Sequence, residues 1–332
     1  MSPGHRCLIT GAAGFIGSYL TELLLAEGQE VFGTIHRRHH GLTHLSDGRH
    51  LVPCDLRERR RVAAAFEQAR PAVVYHLAAQ SLPLVSWERP AATFRANALG
   101  TLNVLQVARE LTPDAVIVVA GSSAEYGSLA PEAVPVHENA PLLATSPYGI
   151  SKVAADLLAG LFARAYGLHT VCARPFFVTG PGKTGDVCSD IARGIAAVER
   201  GRQRTLRVGN LEAVRDFLDV RDAVRALHLL ADKGGRGEAY NICSGQGRKI
   251  SGVLSALLSM AVEPVPVVQD EQRLRPLDEP VVIGDNSRLR ALGWQPQITL
   301  EETLSDVLAY WRALEAEAAS PPKRRAGSAV RS

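Results

Sequence analysis

Residues 11–17 read Gly11-Ala12-Ala13-Gly14-Phe15-Ile16-Gly17, a Gly-x-x-Gly-x-x-Gly turn set between a strand-like run over 6–10 and an apolar helical pattern over 15–27. Strand, glycine turn and helix in that order are how a dinucleotide-binding unit begins. In such a unit Gly11 takes the tight turn and Gly14 lets a pyrophosphate approach the backbone at the helix N-terminus. Gly17 lets helix and strand pack closely.

Working outward, short β-branched runs over 30–34, 50–53, 72–76, 115–120 and 169–173 alternate with helical patterns over 56–68, 91–109 and 148–166. The alternation predicts an α/β fold, a Rossmann-type doubly wound parallel sheet of six strands. Past residue 175 the spacing turns irregular and rich in Gly and Pro, which predicts a smaller, interleaved C-terminal lobe. The division expected is an NADP-binding domain over 1–175, with 216–240 returning to it, and a substrate-binding lobe over 176–215 and 241–318. Residues 319–332, of Pro, Ser, Ala and basic type, read as a disordered tail.

A composition of 46% hydrophobic and 21% charged residues in 332 excludes a disordered or fibrous chain. Lys323, Arg324, Arg325 and Arg331 sit in the tail, and without them 33 basic residues face 34 acidic ones. That near-neutral body argues against nucleic acid as a partner. The apolar runs fall far short of the ~20 residues that span a bilayer, so no membrane association is expected. Cys7, Cys54, Cys172, Cys188 and Cys243 show no Cys-x-x-Cys pair, which fits a reducing, cytoplasmic location rather than a disulfide framework.

NAD sites place an acid at the end of the second strand, about 20 residues past the glycines. Here that place holds His36-Arg37-Arg38, and arginines suit a 2′-phosphate, so NADP(H) is expected over NAD(H). His36, His39, His40 and His44 lack a carboxylate or thiolate cluster to complete a coordination shell, so no metal is expected. Tyr148 and Lys152 are four apart on a helix that Pro147 opens, so they share one face. An ammonium near a phenol favours the phenolate and makes Tyr148 an acid or base near neutrality. Ser122 follows the 115–120 strand at the carboxyl edge of the sheet, where ligands of such folds bind.

With these features together the chain resembles the extended short-chain dehydrogenase/reductase family from residue 6 to about 314. The likeness rests on 11–17, Cys54-Asp55-Leu56, His76-Leu77-Ala78-Ala79, Asn97-Ala98-Leu99-Gly100-Thr101, 122–127, 148–152 and Arg174-Pro175. Within it the chain is most like the GDP-mannose branch, through Gly121-Ser122-Ser123-Ala124-Glu125-Tyr126-Gly127, residues 208–217, Tyr240-Asn241-Ile242-Cys243-Ser244-Gly245 and Leu274-Arg275-Pro276. The resemblance implies a catalytic Ser122, Tyr148 and Lys152. It implies cofactor contacts from Gly11, Gly14, Phe15, Ile16, Gly17, His36, Arg37, Arg38, Asp55, Leu56, Leu77, Ala78, Ala79 and Asn97, besides Tyr148 and Lys152. For the substrate, a GDP-sugar, it implies Ser81, Ser123, Glu125, Phe177, Lys183, Arg215, Arg275 and Asp278. A homodimer built on the 148–166 helix is implied too, and Val153, Leu157, Leu158, Leu161 and Phe162 give that helix more apolar surface than one buried stripe requires.

Two positions depart from the branch. Phe177 stands where relatives carry an asparagine, and Asp278 where they carry a glutamate. The related dehydratases carry an acid two residues before the Tyr-Gly pair, and here that position is Ala124. Glu125, one residue along, is aimed elsewhere by the alternation of an extended chain, as a structural carboxylate or, if the backbone bends, a substrate contact. The resemblance therefore implies NADPH-dependent reduction of the C4 ketone of a GDP-4-keto-6-deoxyhexose. The alternatives are a GDP-mannose 4,6-dehydratase and a non-catalytic NADP-sensing regulator.

Overall fold

The computed structural model describes residues 4–36, 50–128, 131–270 and 279–319. Arg37, Arg38, Arg275, Asp278 and residues 320–332 of the expected tail lie outside the described residues, and the last helix continues to Ala319. The first half runs β1 (Arg6–Thr10), α1 (Phe15–Ala26), β2 (Glu30–Ile35), β3 (Leu51–Pro53), α2 (Arg59–Ala69), β4 (Val73–His76), α3 (Pro83–Glu88), α4 (Pro90–Phe94), α5 (Gly100–Leu111), β5 (Val116–Ala120), α6 (Pro147–Tyr166) and β6 (His169–Pro175). It continues as β7 (Phe177–Thr179), α7 (Val187–Glu199), β8 (Leu206–Val208), β9 (Val214–Asp219), α8 (Val220–Lys233), β10 (Ala239–Ile242), β11 (Gly247–Lys249), α9 (Ile250–Ser259), β12 (Val267–Gln269), β13 (Val281–Val282), α10 (Ser287–Ala291) and α11 (Leu300–Ala319).

Among the described residues seven strands form one parallel sheet in the order β10-β6-β5-β4-β1-β2-β3. Its central strands are apolar on both faces because helices cover both. Leu20 and Leu24 of α1 pack with Val224 and Leu227 of α8 on one face, and Val62 and Phe66 of α2 pack with Val104, Leu105 and Phe162 on the other. The strand order reverses at β1, flanked by β2 on one side and β4 on the other. The carboxyl ends of β1 and β4 therefore open the crevice in which such sheets hold ligands.

A second group of elements packs α7, α9 and α11 around Ile195, Leu254 and Leu308. It carries a small sheet in which β9 pairs with β7, β11 and β13, and a two-stranded sheet of β12 and β8.

The large sheet has seven strands rather than the expected six, because Ala239–Ile242 returns from far along the chain to pair with β6. Of the segment 216–240, helix α8 and the start of β10 join that sheet, whereas β9 belongs to the small one. The helix expected over 56–68 starts at Arg59, since the Asp55 carboxylate accepts from Arg57 N at 3.0 Å and holds the chain in a turn. The helix expected over 91–109 is interrupted by a π-helical turn, Arg95–Leu99. That turn seats Asn97 against the loop after β4.

Candidate active site

The glycine turn is built on three close approaches. Gly11 has φ 74°, and a Cβ there would meet Ala78 Cα at 2.9 Å. A Cβ on Gly17 would meet Gly11 O at 2.3 Å, so α1 cannot lie this near β1 with any larger residue. Gly14 is exposed at the N-cap of α1. Leu77, Ala78 and Ala79 leave β4 beside this turn, with Ala78 N donating to Thr10 Oγ1 at 3.2 Å. Asp55 lies 3.9 Å from His36 Nδ1 at the end of β2 and accepts from Arg57, whose guanidinium holds its carboxyl down to about 2. Leu56 packs in the core under Gly100.

Asn97, another of the expected cofactor contacts, lies between the loop after β4 and α6. It is buried, and its amide accepts from Gln80 N at 2.8 Å and donates to Gln80 O at 3.0 Å and Ser151 Oγ at 2.9 Å. Both Nδ2 protons and one lone pair of Oδ1 are engaged within the protein, so Asn97 braces the loop after β4 against α6.

Ser122, Tyr148 and Lys152 are brought together at the carboxyl end of β5. Gly121 N donates to Ala173 O at 2.6 Å and carries the ladder one residue past the strand. Ser122 then caps a 3₁₀ turn over Ser123–Glu125. Helix α6 starts beside this turn, with Ser146 Oγ accepting from Gly149 N at 3.1 Å. Gly149 is pressed on the turn, since a Cβ there would sit 2.5 Å from Ala124 O. This contact sets Tyr148, in the first turn of α6, within hydrogen-bond reach of the Ser122 hydroxyl. One turn on, Lys152 Nζ donates to Ala120 O at 2.7 Å.

Burial governs the protonation of both side chains. It pushes the Tyr148 phenol up to about 12, opposed by the hydrogen bond from Ser122 and reinforced by the Glu125 carboxyl. It lowers Lys152, with Glu125 and Cys172 acting the other way. The lowering of the phenol expected from the ammonium gives way here to desolvation by burial.

On the substrate side, Arg215 is buried, donates to Val214 O at 2.9 Å and lies 5.3 Å over the Phe177 ring, which itself packs edge-on to Phe217. Phe177 thus supplies a face for the guanidinium. Lys183 sits 5.1 Å over the Phe15 ring, and Tyr19 donates to Pro181 O at 2.9 Å, so the loop after β7 lies across the start of α1. Ser123 is half-buried and Ser81 exposed. Glu125, expected as a structural carboxylate or a substrate contact, is fully buried. It accepts from Ser122 N at 2.7 Å and faces Arg174 Nε at 3.2 Å, the contacts of a structural group.

The GDP-mannose 4,6 dehydratase family model matches residues 8–307. The chain belongs to the GDP-mannose 4,6-dehydratase family. It is 33% identical to the GDP-6-deoxy-D-mannose reductase of Pseudomonas aeruginosa over 93% of this chain and 98% of that one. It is 28% identical to the GDP-mannose 4,6-dehydratase of Vibrio cholerae over 91% and 92%. Among solved structures it is similar to RMD from Pseudomonas aeruginosa complexed with NADPH (TM-score 0.81, 33% identity, 93% of this chain and 99% of that one). It is also similar to a Thermus thermophilus UDP-glucose 4-epimerase in complex with NAD (TM-score 0.83, 30% identity, 92% and 99%). The GDP-mannose 4,6-dehydratase family comprises nucleotide-sugar enzymes on a Rossmann-like sheet, and this chain shares that architecture.

In this family member a buried polar chain links the glycine turn to Tyr148, and sequence reasoning passed it by. Thr10 Oγ1 meets His76 Nδ1 at 2.8 Å, and His76 Nε2 meets Thr101 Oγ1 at 2.9 Å. Thr101 donates to Asn97 O at 2.6 Å, and Ser151 Oγ, which accepts from Asn97, donates to Tyr148 O at 2.7 Å. Because Thr101 is the donor to Asn97, it accepts from His76, which fixes the imidazole proton on Nε2 and makes Thr10 the donor to Nδ1. The signal in the sequence was a histidine closing the otherwise apolar strand Val73-Val74-Tyr75-His76.

Among the described residues, no helix is long and apolar enough to cross a membrane.

Proposed function

We propose that the chain is an oxidoreductase that uses NADPH to reduce the C4 ketone of a GDP-4-keto-6-deoxyhexose. The burial of Glu125 carries this reading. A 4,6-dehydratase needs an acidic base for the C5 proton at the position of Ala124. The carboxylate next to it is fully buried and held by Ser122 and Arg174. Ketone reduction needs no such base. It needs a protonated acid beside the carbonyl oxygen, and a phenol pushed up to about 12 is protonated at neutral pH.

When bound, the reduced nicotinamide supplies the hydride; the glycine turn, with no room for side chains at Gly11 and Gly17, fits its pyrophosphate. The Ser122 hydroxyl orients the ketone oxygen towards Tyr148. Tyr148 then gives its proton to the forming alkoxide, a stronger base than a phenolate, so the transfer runs downhill. Lys152 balances the phenolate that remains. The likeness to the Pseudomonas aeruginosa reductase supports the same reading.

The test is to offer the purified chain GDP-4-keto-6-deoxymannose with NADPH, and GDP-mannose without a reductant. NADPH is expected to be consumed in the first and no ketone to form in the second. A 4-keto product from GDP-mannose alone would make the chain a dehydratase. Binding of NADPH without turnover on GDP-, dTDP-, UDP- or CDP-sugars would make it a sensor.

The sequence His36-Arg37-Arg38, about 20 residues past the glycines, supports NADPH over NADH, which the two KM values compare directly. Gly14→Ala adds a methyl 3.1 Å from Gly11 O on the exposed lip of the turn. It is expected to weaken NADPH binding about tenfold, the ~1.4 kcal/mol of a modest steric intrusion, with the melting temperature of the free protein unchanged.

A homodimer through α6 is part of the same proposal. Ile150, Leu157 and Leu161 lie exposed along one stripe of α6, near exposed Phe94 and Leu99. The double substitution Leu157→Asp and Leu161→Asp is expected to turn a dimer into a monomer in sedimentation-equilibrium runs at micromolar concentration. A wild-type chain already monomeric there would refute the dimer.

A further inference from the structure

We propose that Glu125 is a positioning residue for Ser122: its buried carboxyl holds the Ser122 backbone, and through it the hydroxyl that meets Tyr148. The kinetic part of this inference rests on the reductase reading above.

Three independent observations support it. Glu125 Oε1 accepts from Ser122 N at 2.7 Å while Ser122 Oγ accepts from Ala124 N at 3.2 Å, so serine and glutamate close a reciprocal cap around the 3₁₀ turn. Gly121 leaves the space for this. A Cβ there would sit 2.4 Å from Glu125 Oε1, although the Gly121 backbone has no need of a positive φ. The far end of the carboxyl is enclosed by the Arg174 guanidinium, 3.2 Å away, whose donors are engaged elsewhere. Arg174 commits Nε to Asp156 Oδ2 at 2.8 Å and Nη1 to the Tyr126 hydroxyl and Glu138 O, both at 2.9 Å.

Glu125 Oε2, 3.2 Å from the same Nε, therefore has no hydrogen-bond donor of its own. A proton on Glu125 donated to Asp156 satisfies both carboxyls beside one guanidinium. Burial and the Asp156 charge favour that protonated form, holding Glu125 well above the usual carboxylate range. A neutral Glu125 also spares the adjacent Tyr148 a nearby negative charge.

The test uses the full chain in two arms. In the first, amide hydrogen exchange at Ser122 is expected to speed up about tenfold or more in Glu125→Leu, and likewise in Gly121→Ala, which displaces the carboxyl while keeping every charge. Unchanged exchange in both variants overturns the proposal, and Gly121→Ala decides it alone if Glu125→Leu fails to fold. In the second, Glu125→Leu is expected to lower kcat by about 10–100-fold with the KM for NADPH within about twofold, and Glu125→Gln, which still accepts from Ser122 N and donates to Asp156, to recover most of that loss. In a Ser122→Ala background Glu125→Leu is expected to cost little more. An equal cost in both backgrounds marks Glu125 as merely structural and overturns the proposal. A wild-type chain inactive on the keto sugar refutes the reductase reading instead, and the exchange arm still decides the role of Glu125.

Discussion

Tyr148→Phe is expected to lower kcat by about 10²–10⁴-fold, the contribution of a positioned general acid, with NADPH affinity close to that of the wild type. The ring stays in its buried place in the first turn of α6, so the packing against the 3₁₀ turn survives. What leaves is the hydroxyl beside Ser122 that carries the transferable proton. The loss should therefore fall on kcat and kcat/KM alike, as for an interaction made in the transition state. Steady-state kinetics alongside a fluorescence titration of NADPH measures both quantities. A variant that turns over at the wild-type rate removes Tyr148 from the chemistry.

His76→Leu is expected to cost about 3 kcal/mol of stability at pH 7. The leucine fills the space but leaves Thr10 without an acceptor and Thr101 without a donor, each buried. The deficit should depend on pH in a defined direction. Burial, helped by the Lys152 charge, lowers His76 to about 3. The unfolded chain protonates this ring near pH 6.5 and the folded chain does not, so the His76 contribution is complete above that pH and drains away as pH falls towards 3. At about 1.4 kcal/mol per pH unit, the gap between wild type and variant should narrow by about 2–3 kcal/mol between pH 6.5 and 4.5. Asp216, a buried carboxyl raised to about 6, works in the opposite sense but is common to both proteins and cancels in the difference. Urea melts at a series of pH values give the gap, and a gap independent of pH would show that His76 is not held neutral.

The parts of the fold that repeat a local pattern were legible. The glycine turn and the six strands of the first half stand in the sequence because each strand is a short apolar run marked off by turn residues or by one of four helical patterns. Val214–Asp219 reads like another such strand, yet its partners are three short segments that no local period connects. The π-helical turn was hidden as well, since one extra residue leaves the apolar spacing of 91–109 nearly unchanged. At the site, Tyr148 and Lys152 were visible because they share a helix. Glu125 was readable only as an alternative, because what decides its role is Arg174 and Asp156, brought in from β6 and α6. The bracing contacts of Asn97 were hidden for a related reason, since Gln80 and Ser151 come from other parts of the chain.

The return of Ala239–Ile242 to pair with β6 bears on how the chain is made. A ribosome releases the first six strands long before it reaches this one, and until then the outer side of β6 offers unpaired amides to any neighbouring nascent chain. At roughly 5–20 residues per second the intervening segment keeps that seam open for several seconds. Overexpression should therefore favour inclusion bodies when translation outruns chaperone capacity, and slower synthesis at low temperature should raise the soluble yield.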